Sequence, residues 1–210
     1  RQMKTVLVLG AGLVTRPLVD YLLKHDVRVR VASRTVEKAE QLIGDHLNGE
    51  AIKWTVDKQD ELKKMISETD LVVSLLPANY HAAIAKLCIE LDTNMATTSY
   101  VSPEMKELDK PARENGIIIL NECGVDPGID HMSAMRIVHD VKNKGGKITS
   151  FMSYCGGLPA PEANTNPYGY KFSWSPKGVL LAGKNNSKYR KDGKYINIEG
   201  KDLFDNHWEV

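Results

Sequence analysis

Two polar segments rich in glycine and proline carry the side chains best suited to binding and catalysis. They are Asn121–Met132 (NECGVDPGIDHM) and Ser153–Pro161 (SYCGGLPAP), and each follows a stretch with the apolar character of a buried strand. Loops held by a rigid sheet are the usual place for binding and catalytic residues. Asp126 precedes a proline, where its carboxylate could be fixed for chemistry or could simply initiate a turn. These loops are therefore the candidates for substrate recognition.

A third polar segment has the pattern of a nucleotide-binding turn. Gly10-Ala-Gly12-Leu-Val-Thr15 follows an apolar run and precedes a helical pattern. Glycines at this point let the backbone turn tightly and approach a pyrophosphate, which then meets the free N–H groups of a helix N-terminus. Thr15 departs from the fingerprint, which expects Gly or Ala there for close packing of helix on strand. The alternative is a tight turn without a ligand.

The end of the second predicted strand indicates which dinucleotide binds. NAD enzymes usually place Asp or Glu about 20 residues beyond the glycines, to bond the ribose 2′-hydroxyl. Ser33-Arg34-Thr35 occupies this place without an acid. A planar guanidinium and two hydroxyls suit a 2′-phosphate, so we predict NADP over NAD. Alternatively, Arg34 is a solvated loop residue and Thr35 caps a helix.

Asp57 follows the third predicted strand. It either approaches the adenine of the cofactor or caps the next helix.

Alternating strands and helices must position these loops. A chain that alternates in this way forms a parallel sheet with helices on both faces, here an α/β, Rossmann-type doubly wound sheet. Its ligands bind at the carboxyl ends of the strands, near the point where strand order reverses. The predicted strands are Thr5–Leu9, Val27–Ala32, Ala51–Val56, Leu71–Leu75, Asn94–Thr98 and Ile117–Leu120. The predicted helices are Leu13–Lys24, Val36–Ile43, Gln59–Ser67, Asn79–Leu91 and Pro103–Glu114.

Composition excludes several classes of protein. The chain has 210 residues and a net charge of +1, so no basic surface for nucleic acid is expected. No apolar run reaches the roughly 18 residues of a membrane helix, and no membrane association is expected. The three cysteines lack metal-ligand spacing, so we expect reduced thiols, no metal and a cytoplasmic protein. The N-terminal segment leads directly into the first predicted strand, so no signal or transit peptide is expected.

Several later segments carry a more specific likeness. They are DLVVSLLP at 70–77, TTSYVSPEM at 97–105, the two loops already described with their flanks, and NPYGYKFSWSPKGVLLA at 166–182. In this order they resemble the saccharopine dehydrogenases, the NADP-dependent, L-glutamate-forming saccharopine reductases, over about Lys4 to Tyr195. DPGIDHM, SYCGGLPAP and YKFSWSP are long and unusual, whereas the glycine turn and SLLP occur in many nucleotide-binding proteins.

The resemblance implies a reaction in lysine metabolism. NADPH reduces the imine formed between aminoadipate semialdehyde and the amino group of L-glutamate, and the product is saccharopine. The step is reversible. An imine accepts hydride best when protonated, and Asp126 is the expected anion that stabilises the iminium. The resemblance further implies a homodimer in the full-length form.

The glycine turn and the strand ends indicate Gly10, Gly12 and Asp57, and the resemblance implies the other residues of the site. Cofactor contacts are expected at Gly10, Gly12, Leu13, Val14, Thr15, Ser33, Arg34, Thr35, Asp57, Leu75, Leu76, Pro77, Thr98, Ser99, Val125, Asp126, Pro127, Trp174, Ser175 and Lys177. Substrate contacts are expected at Ser99, Tyr100, Asp126, Cys155 and Gly156.

Three of the candidate side chains have a second interpretation. Tyr100 either donates a hydrogen bond to a substrate carboxylate or packs at the strand end. Cys155 either lines the pocket or is a small buried apolar residue. His131 is either a general acid or an ordinary residue of a first helical turn capped by Asp130.

The expected organisation is a dinucleotide-binding domain over 1–125 and an incomplete α+β substrate and dimerisation domain over 126–210. In the second, Ile148–Tyr154 is predicted as a strand, Ser175-Pro176 as a helix start and Asp192-Gly193 as a hairpin turn. Family members are about twice this length, so we expect cofactor binding with little or no turnover.

Two other functions stay open at this point. One is an imine reductase for a polyamine, such as a carboxynorspermidine dehydrogenase, against which SYCGGLPAP argues. The other is a non-catalytic NADP-binding module.

Overall fold

A computed structural model describes residues 3–205 of the chain. Its main feature is a six-stranded parallel sheet with the order β3-β2-β1-β4-β5-β6. The strands are β1 (Thr5–Leu9), β2 (Arg28–Ser33), β3 (Gly49–Lys53), β4 (Leu71–Ser74), β5 (Asn94–Thr97) and β6 (Ile119–Leu120). Strand order reverses between β1 and β4, where the chain crosses from one half of the sheet to the other. The predicted doubly wound sheet is confirmed.

The sheet is covered on both faces, and the four residues of its central strand that follow Thr5 are apolar and buried. In β1, Val6 and Val8 belong to one core cluster, whereas Leu7 and Leu9 belong to the other. This alternation is the ordinary two-residue period of a strand buried on both sides. The covering helices are α1 (Arg16–Lys24), α2 (Val36–Ile43), α3 (Gln59–Ser67), α4 (His81–Glu90), α5 (Pro103–Glu107) and α6 (Asp109–Glu114).

The helix predicted over Pro103–Glu114 is wrong in one respect, because it is two helices that meet at Leu108. Pro111 explains the break. A proline inside a helix has no N–H for the carbonyl four residues earlier, here that of Glu107, and its ring clashes with that carbonyl. The chain ends α5 at Glu107 and starts again at Asp109.

Helix α7 (Ile129–Asn143) follows the loop after β6, and its N-cap is Gly128 rather than the predicted Asp130. The strand predicted over Ile148–Tyr154 is wrong, because this segment has no regular structure. Its apolar residues Phe151, Met152 and Tyr154 are more than half exposed. A strand needs a neighbour for its hydrogen bonds, and among residues 3–205 none pairs with this segment.

The chain divides into two compact units between Gly156 and Gly157. The second unit contains α8 (Pro176–Ala182) and an antiparallel hairpin of β7 (Ser187–Lys191) and β8 (Lys194–Ile198). Asp192 and Gly193 form the hairpin turn with φ of 50° and 76°, as the turn residues predicted. In the described part of the chain, no helix has both the length and the apolar character needed to span a bilayer.

Candidate functional site

The predicted nucleotide turn follows β1 at the point where strand order reverses. Gly10 has a φ of 108°, a conformation that favours glycine. A Cβ at this position would come within 3.2 Å of the Leu75 carbonyl oxygen at the end of β4. Glycine therefore allows the two central strand ends to approach each other, and Leu75, Leu76 and Pro77 follow β4 at the same edge.

Thr15, the departure from the fingerprint, closes the turn. Its side chain is fully buried. Its hydroxyl accepts a hydrogen bond from the Gly12 N–H at 3.0 Å and donates one to the Gly10 carbonyl at 3.3 Å. The hydroxyl thus connects both glycines of the turn to the residue that caps α1. A glycine or alanine at position 15 could not make these bonds.

The outer side of the same turn is open. A Cβ at Gly12 would meet no atom within 4 Å. The amides of Leu13 and Val14 make no hydrogen bond to residues of the described range, and both side chains are largely exposed. Unpaired amides at the start of α1 are the groups that bind a pyrophosphate. The turn can therefore hold a dinucleotide.

At the end of β2, Arg34 presents an unpaired cation. Its side chain is exposed and makes no ion pair with any residue of 3–205. Ser33 accepts the Thr35 N–H at 3.3 Å, which fixes the backbone on both sides of Arg34. Thr35 occupies the N-cap of α2 without a side-chain capping bond. This combination of one free guanidinium and two hydroxyls has the chemistry that a ribose 2′-phosphate requires.

Asp57 is an exposed carboxylate near the amino end of α3. The N-cap of that helix is Lys58, so the alternative of Asp57 as the cap is wrong. Hydrogen bonds from Thr55 and from its own backbone lower the pKa of Asp57, and it is ionised at neutral pH. Its proposed contact with the adenine stays a prediction.

The loop after β6 is fastened to the end of β5. The Glu122 N–H donates to the Ser99 carbonyl at 3.1 Å, and the Cys123 N–H donates to the Thr97 carbonyl at 3.2 Å. Gly124 faces Thr98, whose Cβ would lie 3.3 Å from a Cβ at position 124. These contacts bring Asn121–Gly128 beside Thr98, Ser99 and Tyr100, as the strand-end rule predicted.

Tyr100 and Asp126 form the central contact of the candidate site. The tyrosine hydroxyl donates a hydrogen bond of 2.8 Å to Asp126 Oδ1. The pKa of Tyr100 is raised to about 12, although the residue is 61% exposed. The causes are loss of solvation around the phenol, the hydrogen bond to Asp126 and the negative charges of Asp126, Asp130 and Glu122. The phenol is therefore a neutral donor at physiological pH.

A second carboxylate and an imidazole adjoin this pair. Potential ligand atoms of Asp126, Asp130 and His131 all lie within 4.8 Å of one another. His131 Nδ1 is 2.7 Å from Asp130 Oδ1. Desolvation favours the protonated form of Asp130, but hydrogen bonds from His131 and from the Gly128 amide outweigh it and lower the pKa. The cluster can therefore stabilise a cationic group.

Cys155 lies close enough to Asp126 and Asp130 for their charges to affect its thiol. Desolvation and the charges of Asp126 and Asp130 raise the pKa of the Cys155 thiol. A protonated thiol is a poor nucleophile, which agrees with a contact role. The neighbouring Gly156 has open space around its Cα.

Sequence reasoning missed His81, the first residue of α4. Its ring is buried between the ends of β4 and β5, and burial lowers the pKa of the imidazole. Nδ1 is 3.0 Å from Ser74 Oγ, whereas Nε2 is 2.8 Å from Ser99 Oγ and 3.1 Å from Thr97 Oγ1. The sequence feature that could have identified this residue is a histidine at the start of an apolar helix, directly after a loop at a strand end.

Three predicted cofactor contacts lie in the second unit. Ser175 caps α8 by accepting the Gly178 N–H at 3.2 Å. Trp174 packs on Gly178, where a Cβ would lie 2.5 Å from the indole. Lys177 is exposed in the first turn. The roles of Trp174, Ser175 and Lys177 toward a cofactor stay predictions.

Comparison with known proteins assigns the chain to a family. Residues 6–120 match the model described as "Saccharopine dehydrogenase NADP binding domain", and residues 124–210 match "Saccharopine dehydrogenase C-terminal domain". An NADP(+)-dependent, L-glutamate-forming saccharopine dehydrogenase of Schizosaccharomyces pombe is 48% identical over 97% of this chain and 45% of its own length. Alpha-aminoadipic semialdehyde synthase of Arabidopsis thaliana is 44% identical over 95% of this chain and 21% of its own length.

A solved structure agrees with these matches. Apo saccharopine dehydrogenase (L-Glu forming) of Saccharomyces cerevisiae superposes with a TM-score of 0.85 at 43% identity, covering 99% of this chain and 47% of that one. The chain thus spans less than half the length of these relatives. It belongs to the saccharopine dehydrogenase family.

Proposed function

We propose that this chain binds NADP(H) and takes part in the reversible reduction of the imine of aminoadipate semialdehyde and L-glutamate to saccharopine. Family membership supports the reaction class, since the matched relatives are NADP(+)-dependent and L-glutamate-forming. The chain covers about 45% of the fungal enzymes, so the activity of the whole protein is part of the proposal.

The residues at the switch point fit the cofactor. The open amides of Leu13 and Val14 suit the pyrophosphate, and the unpaired guanidinium of Arg34 suits a 2′-phosphate. Leu75, Leu76 and Pro77, at the end of β4, are placed for the second half of the dinucleotide. The Ser33-Arg34-Thr35 segment contains no acid that could bond the ribose of NAD, so we propose NADP rather than NAD.

The contact between Tyr100 and Asp126 carries the proposal for the chemistry. When bound, the nicotinamide supplies or accepts the hydride. The chain supplies a carboxylate, Asp126, that favours a positively charged iminium, and a neutral phenol that orients this carboxylate. Asp130 adds a second negative charge within 4.8 Å. An imine held beside Asp126 would therefore be protonated more readily than in water, and the protonated iminium accepts hydride more readily than the neutral imine.

Substrate recognition is proposed for Ser99, Tyr100, Asp126, Cys155 and Gly156, all in the first compact unit. Ser99 and Tyr100 carry hydroxyl groups for substrate oxygens, and the protonated Cys155 thiol provides a soft contact near the carboxylates. Val125 and Pro127 flank Asp126 and are proposed to separate substrate from cofactor.

Two parallel ligand titrations test this assignment of the substrate. The chain saturated with NADPH is titrated with saccharopine and, in parallel, with carboxynorspermidine. Of the two compounds, we expect only saccharopine to shift the NADPH fluorescence, and we expect Asp126→Asn to lose this shift at a saturating NADPH concentration. A response to carboxynorspermidine alone would replace the amino-acid substrate with a polyamine. Arg136→Ala, an exposed cation on α7, is the matched control.

The proposal also includes a cytoplasmic location and a homodimer. The three cysteine thiols form no disulfide, which supports a reducing compartment. The homodimer is proposed for the full-length form, and analytical ultracentrifugation of the full-length protein tests it; a single monomeric species at all concentrations would exclude it.

A further inference from the structure

His81 connects three hydroxyl groups that belong to two different strand ends. Ser74 ends β4, and Thr97 ends β5 with Ser99 just beyond it. The imidazole is 3% exposed, Ser74 is fully buried and Thr97 is 1% exposed, whereas Ser99 is half-buried. Ser99 is therefore the one member of this group that can reach a ligand.

The hydrogen-bond partners of the His81 ring favour one of its two neutral tautomers. A neutral imidazole has one N–H and one lone pair. If Nδ1 carried the proton, the buried Ser74 hydroxyl hydrogen would have no acceptor among the described residues, and the single Nε2 lone pair would have to serve Ser99 and Thr97 together. With the proton on Nε2, Ser74 donates to Nδ1, and one N–H is shared between the Ser99 and Thr97 oxygens. In this arrangement the buried Thr97 hydroxyl hydrogen has no acceptor among the described residues. With the proton on Nδ1, the shorter 2.8 Å contact gives the Nε2 lone pair to Ser99, and the Ser74 and Thr97 hydrogens both lack an acceptor. The proton on Nε2 therefore leaves fewer buried hydrogens unpaired.

The same arrangement decides what Ser99 offers to a ligand. Its oxygen accepts from Nε2–H, so its own hydrogen is free to be donated. Two hydrogen bonds hold the backbone of Ser99 in place. Its N–H donates to Thr97 Oγ1 at 3.4 Å, and its carbonyl accepts the Glu122 N–H at 3.1 Å. The side chain is thus held at the carboxyl end of β5 with a fixed donor.

We propose that His81 is a positioning residue that holds Ser99 as a hydrogen-bond donor to an sp² oxygen of the bound ligand. That oxygen belongs either to the carboxamide of the nicotinamide or to a carboxylate of the amino-acid substrate. The inference rests on the proposed function for the identity of these ligands. His81 itself contacts neither ligand and acts through Ser99.

Two amide variants distinguish this role from simple packing. In His81→Gln the side-chain amide nitrogen can take the place of Nε2 and donate to Ser99. In His81→Asn the shorter amide reaches the position of Nδ1 and contacts Ser74 only. We expect His81→Asn and Ser99→Ala each to weaken the relevant ligand roughly tenfold, and His81→Gln to stay within about threefold of wild type. The double variant His81→Asn/Ser99→Ala should be no weaker than Ser99→Ala alone.

Three titrations identify the oxygen. If it is the carboxamide, His81→Asn weakens NADPH but leaves 2′-phospho-ADP-ribose, which lacks the nicotinamide, unchanged. If it is the substrate carboxylate, His81→Asn leaves both nucleotides unchanged and weakens saccharopine binding to the NADP complex. Thermal unfolding of each variant identifies any defect in the fold. Ser99→Ala removes the hydroxyl group at a half-buried position and leaves the buried His81 ring in place, so it tests the loss of ligand affinity without a change in the core.

The proposal is overturned if His81→Asn binds all three ligands like wild type, if His81→Gln is as weak as His81→Asn, or if 2′-phospho-ADP-ribose is weakened as much as NADPH. Wild-type protein that binds no NADPH would instead contradict the proposed function, so the two failures are distinguishable.

Discussion

The Thr15 hydroxyl accepts the Gly12 N–H at 3.0 Å, so the residue that departs from the dinucleotide fingerprint holds the turn together. The fingerprint expects a small residue here because the helix must pack closely on the strand. Thr15 meets that requirement, since it is fully buried, and adds two hydrogen bonds that no smaller apolar residue can make.

Removing the Thr15 hydroxyl should destabilise the fold. Thr15→Val keeps the shape but leaves the Gly12 amide and the Gly10 carbonyl without their partner, which costs roughly 1–3 kcal/mol of the free energy of unfolding. Urea unfolding measures the loss. Thr35→Val is the control, because Thr35 makes no side-chain capping bond, and it should change stability by less than about 0.5 kcal/mol. Equal stability of Thr15→Val and wild type would show that the two bonds contribute nothing.

Gly12 should matter for the ligand and not for folding. An alanine Cβ at position 12 meets no protein atom within 4 Å, yet it occupies the space through which a pyrophosphate reaches the amides. We expect Gly12→Ala to unfold like wild type and to bind NADPH more than about tenfold more weakly. Gly156→Ala has equally open surroundings in another loop and should leave NADPH affinity unchanged. Unaltered NADPH binding by Gly12→Ala would place the pyrophosphate elsewhere.

Arg34 should determine the choice between the two dinucleotides. Losing a charge-assisted contact to a 2′-phosphate should weaken NADPH roughly tenfold or more in Arg34→Ala, with NADH affinity unchanged. Fluorescence titration at two salt concentrations measures both, and the NADPH difference should shrink at high salt. A parallel loss of NADH affinity would mean that Arg34 contacts a part common to both cofactors.

The sequence predicted local features of the site well and non-local ones poorly. The turn at Gly10–Thr15 depends on neighbouring residues only, and the rules for glycine apply to it directly. The break at Pro111 is equally local, yet the single helix predicted over Pro103–Glu114 missed it. The His81 network joins residues 7, 16 and 18 positions away on two strands, so it depends on register that no local pattern gives. Ile148–Tyr154 has strand-like composition, but a strand also needs a partner, which composition does not supply.

The titration of Tyr100 should depend on Asp126. The raised folded-state pKa means that any stability contributed by this phenol is present below the ordinary value of 10.0 and is lost as pH rises toward about 12. Ultraviolet difference titration of wild type against Tyr100→Phe should therefore show the missing tyrosine titrating near the upper value. In Asp126→Asn the Tyr100 transition should move down, because the negative acceptor is gone. An unchanged Tyr100 titration in Asp126→Asn would contradict the hydrogen bond.

The most direct test of the account is a fluorescence titration of the wild-type chain with NADPH and with NADH under the same conditions. The open amides after β1 and the unpaired Arg34 after β2 predict saturable binding of NADPH that is at least about tenfold tighter than that of NADH. Binding of neither nucleotide, or equal affinity for both, would contradict the assignment of this crevice to NADP.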